Sequence, residues 1–227
     1  NFRLAPFLSL DAPQGYGYGS FKVSTTNSLT FSGRLPEGTA LTGSTFVGPS
    51  GQILVFQLLY GKKGSLVGEY RLTGNELTGN ASWLKPPTSK GTLYKDGFGP
   101  FFLIANGGKY TPPAPGQLAM PASSKLTFSD FGLSSSSVDQ LVTIANPRPT
   151  GLTNTAVPLA PILLSTKITK FDVKTGLMTG SFQEDTRKAT WSAQLVKIGS
   201  TTEGYGYFLM EDGSTPPVKL SGRVVLG

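Results

Sequence analysis

The chain has 227 residues, with 20 Lys or Arg against 13 Asp or Glu, a formal net charge of +7 at pH 7. It contains no His and no Cys, which excludes an imidazole base, a Ser-His-Asp triad, a thiolate nucleophile, disulfides, and zinc or iron–sulfur sites built on those residues. Its 29 Gly and 17 Pro are about a fifth of the sequence, above average usage but below the low-complexity range, so the chain is turn-rich and folded.

The N-terminal segment, residues 1–14, stands apart. Phe2, Leu4, Pro6, Leu8 and Leu10 occupy one parity and Arg3, Ala5, Phe7 and Ser9 the other, the alternation of a strongly apolar strand. Left unpaired it would be a hydrophobic edge, which proteins avoid. Two arrangements satisfy it. The strand pairs within its own chain and closes a barrel, or it adds to the next subunit, with Phe2, Leu4, Leu8 and Leu10 as the assembly strand of a filament. The chain begins at Asn1 rather than Met and reads as a processed or excised piece.

From residue 15 onward no stretch sustains a 3.6-residue apolar period. Short runs of Val, Leu, Phe, Tyr and Thr alternate with turn residues, which predicts strands over 18–24, 28–35, 40–47, 52–59, 65–72, 76–84 and 101–105. Further strands are predicted over 125–130, 140–145, 162–173, 177–183, 189–197, 204–210 and 218–226. Turns are marked by Pro36-Glu37-Gly38, Thr73-Gly74-Asn75, Asp96-Gly97, Asn106-Gly107-Gly108 and Asp212-Gly213. Pro112, Pro113, Pro115 and Pro121 mark residues 109–122 as a semi-rigid linker. A second Pro-rich stretch, 146–161, reads as a long loop. The expected fold is all-β: two antiparallel β-barrel or β-sandwich domains, 15–108 and 123–227, built from hairpins.

The two domains read as related by internal duplication. Gly15-Tyr-Gly-Tyr18 followed by Ser32-Gly-Arg34 matches Gly204-Tyr-Gly-Tyr207 followed by Ser221-Gly-Arg223, with a constant offset of 189. The motif lies at opposite ends of the chain, so either two domains carry it in permuted positions or the two ends meet in one sheet.

Several strings carry a resemblance: Gly15-Tyr-Gly-Tyr18, Lys63-Gly-Ser-Leu-Val-Gly68, Ser82-Trp-Leu-Lys-Pro86, Tyr110-Thr-Pro-Pro113, Lys174-Thr-Gly-Leu-Met-Thr-Gly-Ser-Phe182, Gly204-Tyr-Gly-Tyr-Phe208 and Ser221-Gly-Arg-Val-Val225. Together they resemble a β-repeat domain of large secreted surface proteins of planctomycete and verrucomicrobial bacteria. The resemblance runs from residue 15 over most of the chain. It implies an extracellular all-β module and no particular activity.

Chemistry-bearing patterns are sparse. The acidic pairs Glu184-Asp185 and Glu211-Asp212 sit at predicted turns and read as solvated caps, since neighbouring strand residues face opposite ways. Ser134 to Ser137 lacks a nucleophile elbow, and Gly15-x-Gly-x-Gly lacks the helix a phosphate loop needs. No Asp-x-Asp-x-Asp calcium string occurs. The expectation is a chain that is not an enzyme and has no cofactor and no metal. Its basic residues are scattered, with no nucleic-acid motif, and no apolar run approaches the ~18 residues of a transmembrane helix.

Two functions of different class remain. The first is a structural or interaction module at the cell surface, a unit of a fibre, layer or adhesin that associates with itself or with neighbouring domains. The second is a polysaccharide-binding module in which Tyr16, Tyr18, Tyr205 and Tyr207, each pair on one face of its strand, stack on sugar rings. Trp83 and Trp191 end apolar strands and read as core or rim packing.

Overall fold

The computed structural model describes residues 1–7, 12–88, 93–130, 133, 136–145, 148–154, 164–214 and 218–227. Among these are sixteen strands and no helix, arranged in two antiparallel sheets of eight. The first sheet holds β1 (Phe2–Pro6), β2 (Gly17–Val23), β3 (Ser28–Arg34), β4 (Ala40–Phe46), β5 (Gln52–Leu59), β6 (Gly64–Thr73), β7 (Glu76–Lys85) and β8 (Phe98–Gly108). The second holds β9 (Lys125–Ser129), β10 (Ser137–Ala145), β11 (Arg148–Asn154), β12 (Leu164–Asp172), β13 (Leu177–Glu184), β14 (Arg187–Ile198), β15 (Thr201–Glu211) and β16 (Lys219–Leu226).

The first sheet is a nearly closed barrel. Its order is β4-β3-β2-β1-β8-β7-β6-β5, so the first and last strands meet in the middle and the seam falls between β4 and β5. That gap is narrowed by the Val47–Ile53 bridge and by Thr45 Oγ1, which donates to Leu54 O at 2.8 Å. Alternation fills the interior, as an eight-stranded barrel requires. Ile53, Val55 and Leu59 of β5, Leu66 and Tyr70 of β6, and Ala81 and Trp83 of β7 are buried with Phe2, Leu4, Leu103 and Ala105. A residual apolar cavity of about 40 Å³ lies among Phe31, Leu41, Ile53, Val55 and Tyr70.

β1 lies at the centre of this barrel. It pairs with β2 on one side and with β8 on the other, and Phe2 and Leu4 are buried in the first core. The residues expected to stand apart are therefore in place within their own chain. Leu8 and Leu10 lie outside the described residues.

The second sheet is a half-barrel of order β11-β10-β9-β16-β15-β14-β13-β12, again with its first and last strands, β9 and β16, paired. Its core gathers on Phe128, whose ring lies 4.7 Å from Phe182, 5.9 Å from Trp191 and 6.2 Å from Phe208. Equivalent registers occur in both sheets. Tyr18 pairs with Arg34 and Phe21 with Phe31, while Tyr207 pairs with Arg223 and Met210 with Leu220.

Four expectations are corrected. Residues 148–154 form β11 rather than part of a loop; Pro149 is tolerated because β11 ends the sheet, where a missing amide donor leaves no ladder unpaired. The strand expected over 101–105 extends to Phe98–Gly108, and Asn106-Gly107-Gly108, expected as a turn, continue it because β7 pairs with them on one side and β1 on the other. Glu184 is not a solvated cap but is buried and paired with Arg187, because it shares the inward parity of Met178 and Phe182 on β13.

One buried carboxylate closes an end of the barrel. Glu37, in the β3–β4 turn, is fully buried. It accepts Thr39 N at 2.9 Å, Thr39 Oγ1 at 2.5 Å and the Tyr60 hydroxyl at 2.6 Å. Trp83 Nε1 donates to the Tyr60 oxygen at 3.0 Å, so the chain of bonds joins the turn, the end of β5 and β7. Removing the acceptor while leaving its donors buried costs about 2–4 kcal/mol. Glu37→Ala is accordingly expected to lower the urea midpoint well below that of Glu37→Gln, and equal midpoints would show that the bonds contribute little.

Candidate functional site

The four tyrosines singled out by the sequence come together, and they do so between the sheets. Alternation sends Tyr16 and Tyr18 out of the first barrel, and Tyr205 and Tyr207 out of the second sheet on β15. Each then meets the residue 189 places away. Tyr16 stands edge-on to Tyr205 with centroids 5.2 Å apart, and Tyr18 stacks on Tyr207 at 6.0 Å. Tyr18, Tyr205 and Tyr207 are buried in this seam, so the open row needed to receive a sugar ring is not how they are presented.

Cations and hydroxyls complete the seam. The Arg3 guanidinium lies 4.2 Å from the Tyr205 ring centre and 5.6 Å from that of Tyr16, and Arg223 lies 5.1 Å from Tyr16. Such contacts strengthen as the site is desolvated. The Tyr18 hydroxyl is 2.5 Å from Ser192 Oγ, and the Tyr205 hydroxyl donates to Glu203.

Backbone contacts lock the same surface. Tyr16 N donates to Gly206 O at 2.9 Å and Gln14 N to Ser221 O at 3.2 Å. Ser221 Oγ donates to Pro36 O at 2.5 Å, and Ser221 N donates to the Tyr94 hydroxyl at 3.1 Å. The approach is close enough to dictate glycine at residue 15. A Cβ there would overlap Tyr207 Cβ and lie 2.7 Å from Ser221 Oγ and 2.8 Å from Pro36 O. At the far end Asn1 Nδ2 donates to Thr175 O and Leu195 O, both at 2.8 Å, and the Tyr110 hydroxyl donates to Val173 O at 3.0 Å.

The seam positions side chains from both sheets against one another. Among the described residues no three acidic side chains gather where a cation would sit. Asp172 is held below the usual carboxylate range chiefly by the amide of Lys174, and Asp212 by the hydroxyl and amide of Ser214; both oxygens are turned into their own turns. Sequence reading missed Arg3, Ser192 and Glu37. Arg3 had a signal, being the one charge in an otherwise apolar alternating segment. Ser192 and Glu37 had none, because the partners that give them their roles, Tyr18 and Tyr60, lie 174 and 23 positions away.

Compared with known proteins, the chain matches no family model, no curated protein and no solved structure.

Two predictions test the seam. Overpacking a filled contact typically costs about 1–3 kcal/mol, and Gly15→Ala is expected to lose at least that much in chemical denaturation, with both sheets weakened together. An unchanged midpoint would refute the contact. The second prediction concerns alkaline pH. Burial raises the phenols of Tyr18, Tyr60, Tyr70, Tyr94, Tyr110 and Tyr207 above their ordinary value. It also pushes Tyr205 from 10.0 up to about 12, helped by the bond to Glu203. A raised phenol retains its proton in the folded chain while the unfolded chain releases it, so the stability it contributes is complete below the unfolded value and lost above it. Thermal stability is therefore expected to hold up to about pH 10 and to fall between there and pH 12, with phenolate absorbance rising only as the chain unfolds. Full ionisation of a still-folded chain near pH 10 would contradict the burial.

Proposed function

We propose that this chain is a non-enzymatic structural and interaction module of an extracellular surface assembly, built by internal duplication with a circular shift of strand order. The absence of His and Cys from the sequence and the surface-repeat resemblance support the class. The equal-to-equal contacts of Tyr16 with Tyr205 and Tyr18 with Tyr207 support the duplication.

The observation that carries the reading is an apolar face on the outside of the first barrel. Leu54, Phe56 and Leu58 of β5 point outward, beside Val67 of β6 and Phe102 and Ile104 of β8. Phe56 and Phe102 are 68% and 63% exposed. Register aligns them: Phe56 is opposite Val67, Val67 opposite Ser82 and Ser82 opposite Phe102. Phe7, 66% exposed, extends the row by donating its amide to Phe102 O at 3.0 Å. These exposed side chains form two apolar stripes, one on β5 and β6 and one on β8 with Phe7, with Ser82 of β7 between them; exposed apolar surface grouped on one face marks an interaction site.

The occupant is a second copy of the chain. β5 carries three of these side chains, Leu54, Phe56 and Leu58, in alternation on its outward face. Beside the row, Glu69 and Arg71 of β6 are two residues apart and opposite in sign, an arrangement that complements itself across a two-fold axis. Association through β1 is not part of the proposal, since both of its edges are already paired.

Light scattering on the full chain is expected to give an oligomer, and Phe56→Ser with Phe102→Ser to give a monomer with unchanged circular dichroism. A wild-type chain that stays monomeric at high concentration would overturn the reading.

A further inference from the structure

At one end of the seam the two sheets leave a concave, cationic surface that neither the tyrosine contacts nor the apolar face accounts for. Two adjoining hollows, of about 490 and 350 Å³, share Lys109 and Tyr110 as a common wall. The larger also takes in Lys174 and the smaller Lys197. Each lies in the size range of small-molecule sites, which favour junctions between folded units.

The surface is built rather than incidental. Lys109 leaves β8 with its amide bonded to Asn75 O at 3.1 Å, and neighbouring Gly108 packs so closely that a Cβ would stand 2.6 Å from Lys197 O. Tyr110 is anchored through its hydroxyl to Val173 O, and its ring lies against Gly176, whose Cβ would meet it at 3.1 Å. Lys197 is fixed opposite Thr202 by the β14–β15 ladder.

All three lysines are exposed, and none forms an ion pair among the described residues. Among those residues no Asp or Glu lines either hollow. Asp172, the carboxylate of this region, lines neither hollow, and its Oδ1 accepts Lys174 N at 2.9 Å. The remaining polar side chains of the lining are neutral, among them Asn75, Thr111, Gln117, Thr175 and Thr202.

We propose that this cleft binds an acidic polysaccharide, with Lys109, Lys174 and Lys197 taking its carboxylate or sulfate groups and the neutral amides and hydroxyls taking its ring hydroxyls. Unpaired ammonium groups select for anions. The neutral lining suits a ligand rich in hydroxyls, and the two rings that line the cleft, Phe21 and Tyr110, have no arginine beside them, so the combined stacking and cation contacts that single-stranded nucleic acid uses are incomplete. The site is separate from the apolar face of the first barrel.

Calorimetry with an oligogalacturonate, a neutral dextran of similar length and a single-stranded oligonucleotide of similar charge tests this on the full chain. Binding of the oligogalacturonate alone is expected, weakening with salt. The triple variant Lys109→Gln, Lys174→Gln, Lys197→Gln should lose roughly tenfold or more in affinity while keeping its melting temperature, because all three side chains are exposed. A control variant, Lys62→Gln, Lys63→Gln, Lys95→Gln, removes the same charge at exposed residues outside both hollows and should bind as the parent does. No binding, equal loss in the control variant, or equal binding of the oligonucleotide through the same lysines would each overturn the proposal.

Discussion

Everything else in this molecule depends on how closely the two sheets approach along Gly15-Tyr-Gly-Tyr18 and Gly204-Tyr-Gly-Tyr207. Glycine at residue 15 leaves out side-chain atoms that would hold them apart, since any Cβ there would run into Tyr207, Ser221 and Pro36. The tyrosines then supply large, stiff surfaces whose rings meet their counterparts and whose hydroxyls find partners at the rim. With Arg3 lying over Tyr205 and against Tyr16, the seam combines apolar burial with directional contacts. Directional contacts fix one relative orientation, which burial alone does not. The cationic cleft around Lys109 exists only because that orientation holds its walls, contributed by both sheets, in place.

The two sheets solve the problem of their edges differently. The first curls until β4 and β5 nearly meet, and its interior is sealed by the bonds of Glu37, Tyr60 and Trp83. A carboxylate is an expensive group to bury, and it is tolerated here because hydroxyl and amide donors surround it. The second sheet stays half open. Its aromatic residues cluster on Phe128, and its terminal strand carries Pro149, a residue that a central strand would exclude.

Much of this was legible in the sequence because period-two alternation and turn chemistry are local signals. The strands of the first sheet, the turns at Gly38 and Gly74 and the proline-rich passage between β8 and β9 can all be read within windows of ten residues. What could not be read is pairing at a distance. The alternating segment Phe2 to Leu10 announces a strand but contains nothing to say that β2 and β8 would flank it. Glu37 looks like an ordinary turn residue because its partner Tyr60 lies 23 positions away. The tyrosine rows were visible as rows, and alternation gave their common face correctly. Whether such a face meets solvent or another sheet is decided by residues from the other end of the chain.

The central placement of β1 and β16 has a mechanical consequence. Residue 1 leads directly into a strand flanked by β2 and β8, and residue 227 leaves one flanked by β9 and β15. A load drawn along the axis of either strand is shared at once by hydrogen-bonded ladders on both of its sides. An edge strand under the same pull would peel from a single neighbour, one bond after another. Tension entering along β1 or β16 is therefore carried by ladders on both sides of the loaded strand.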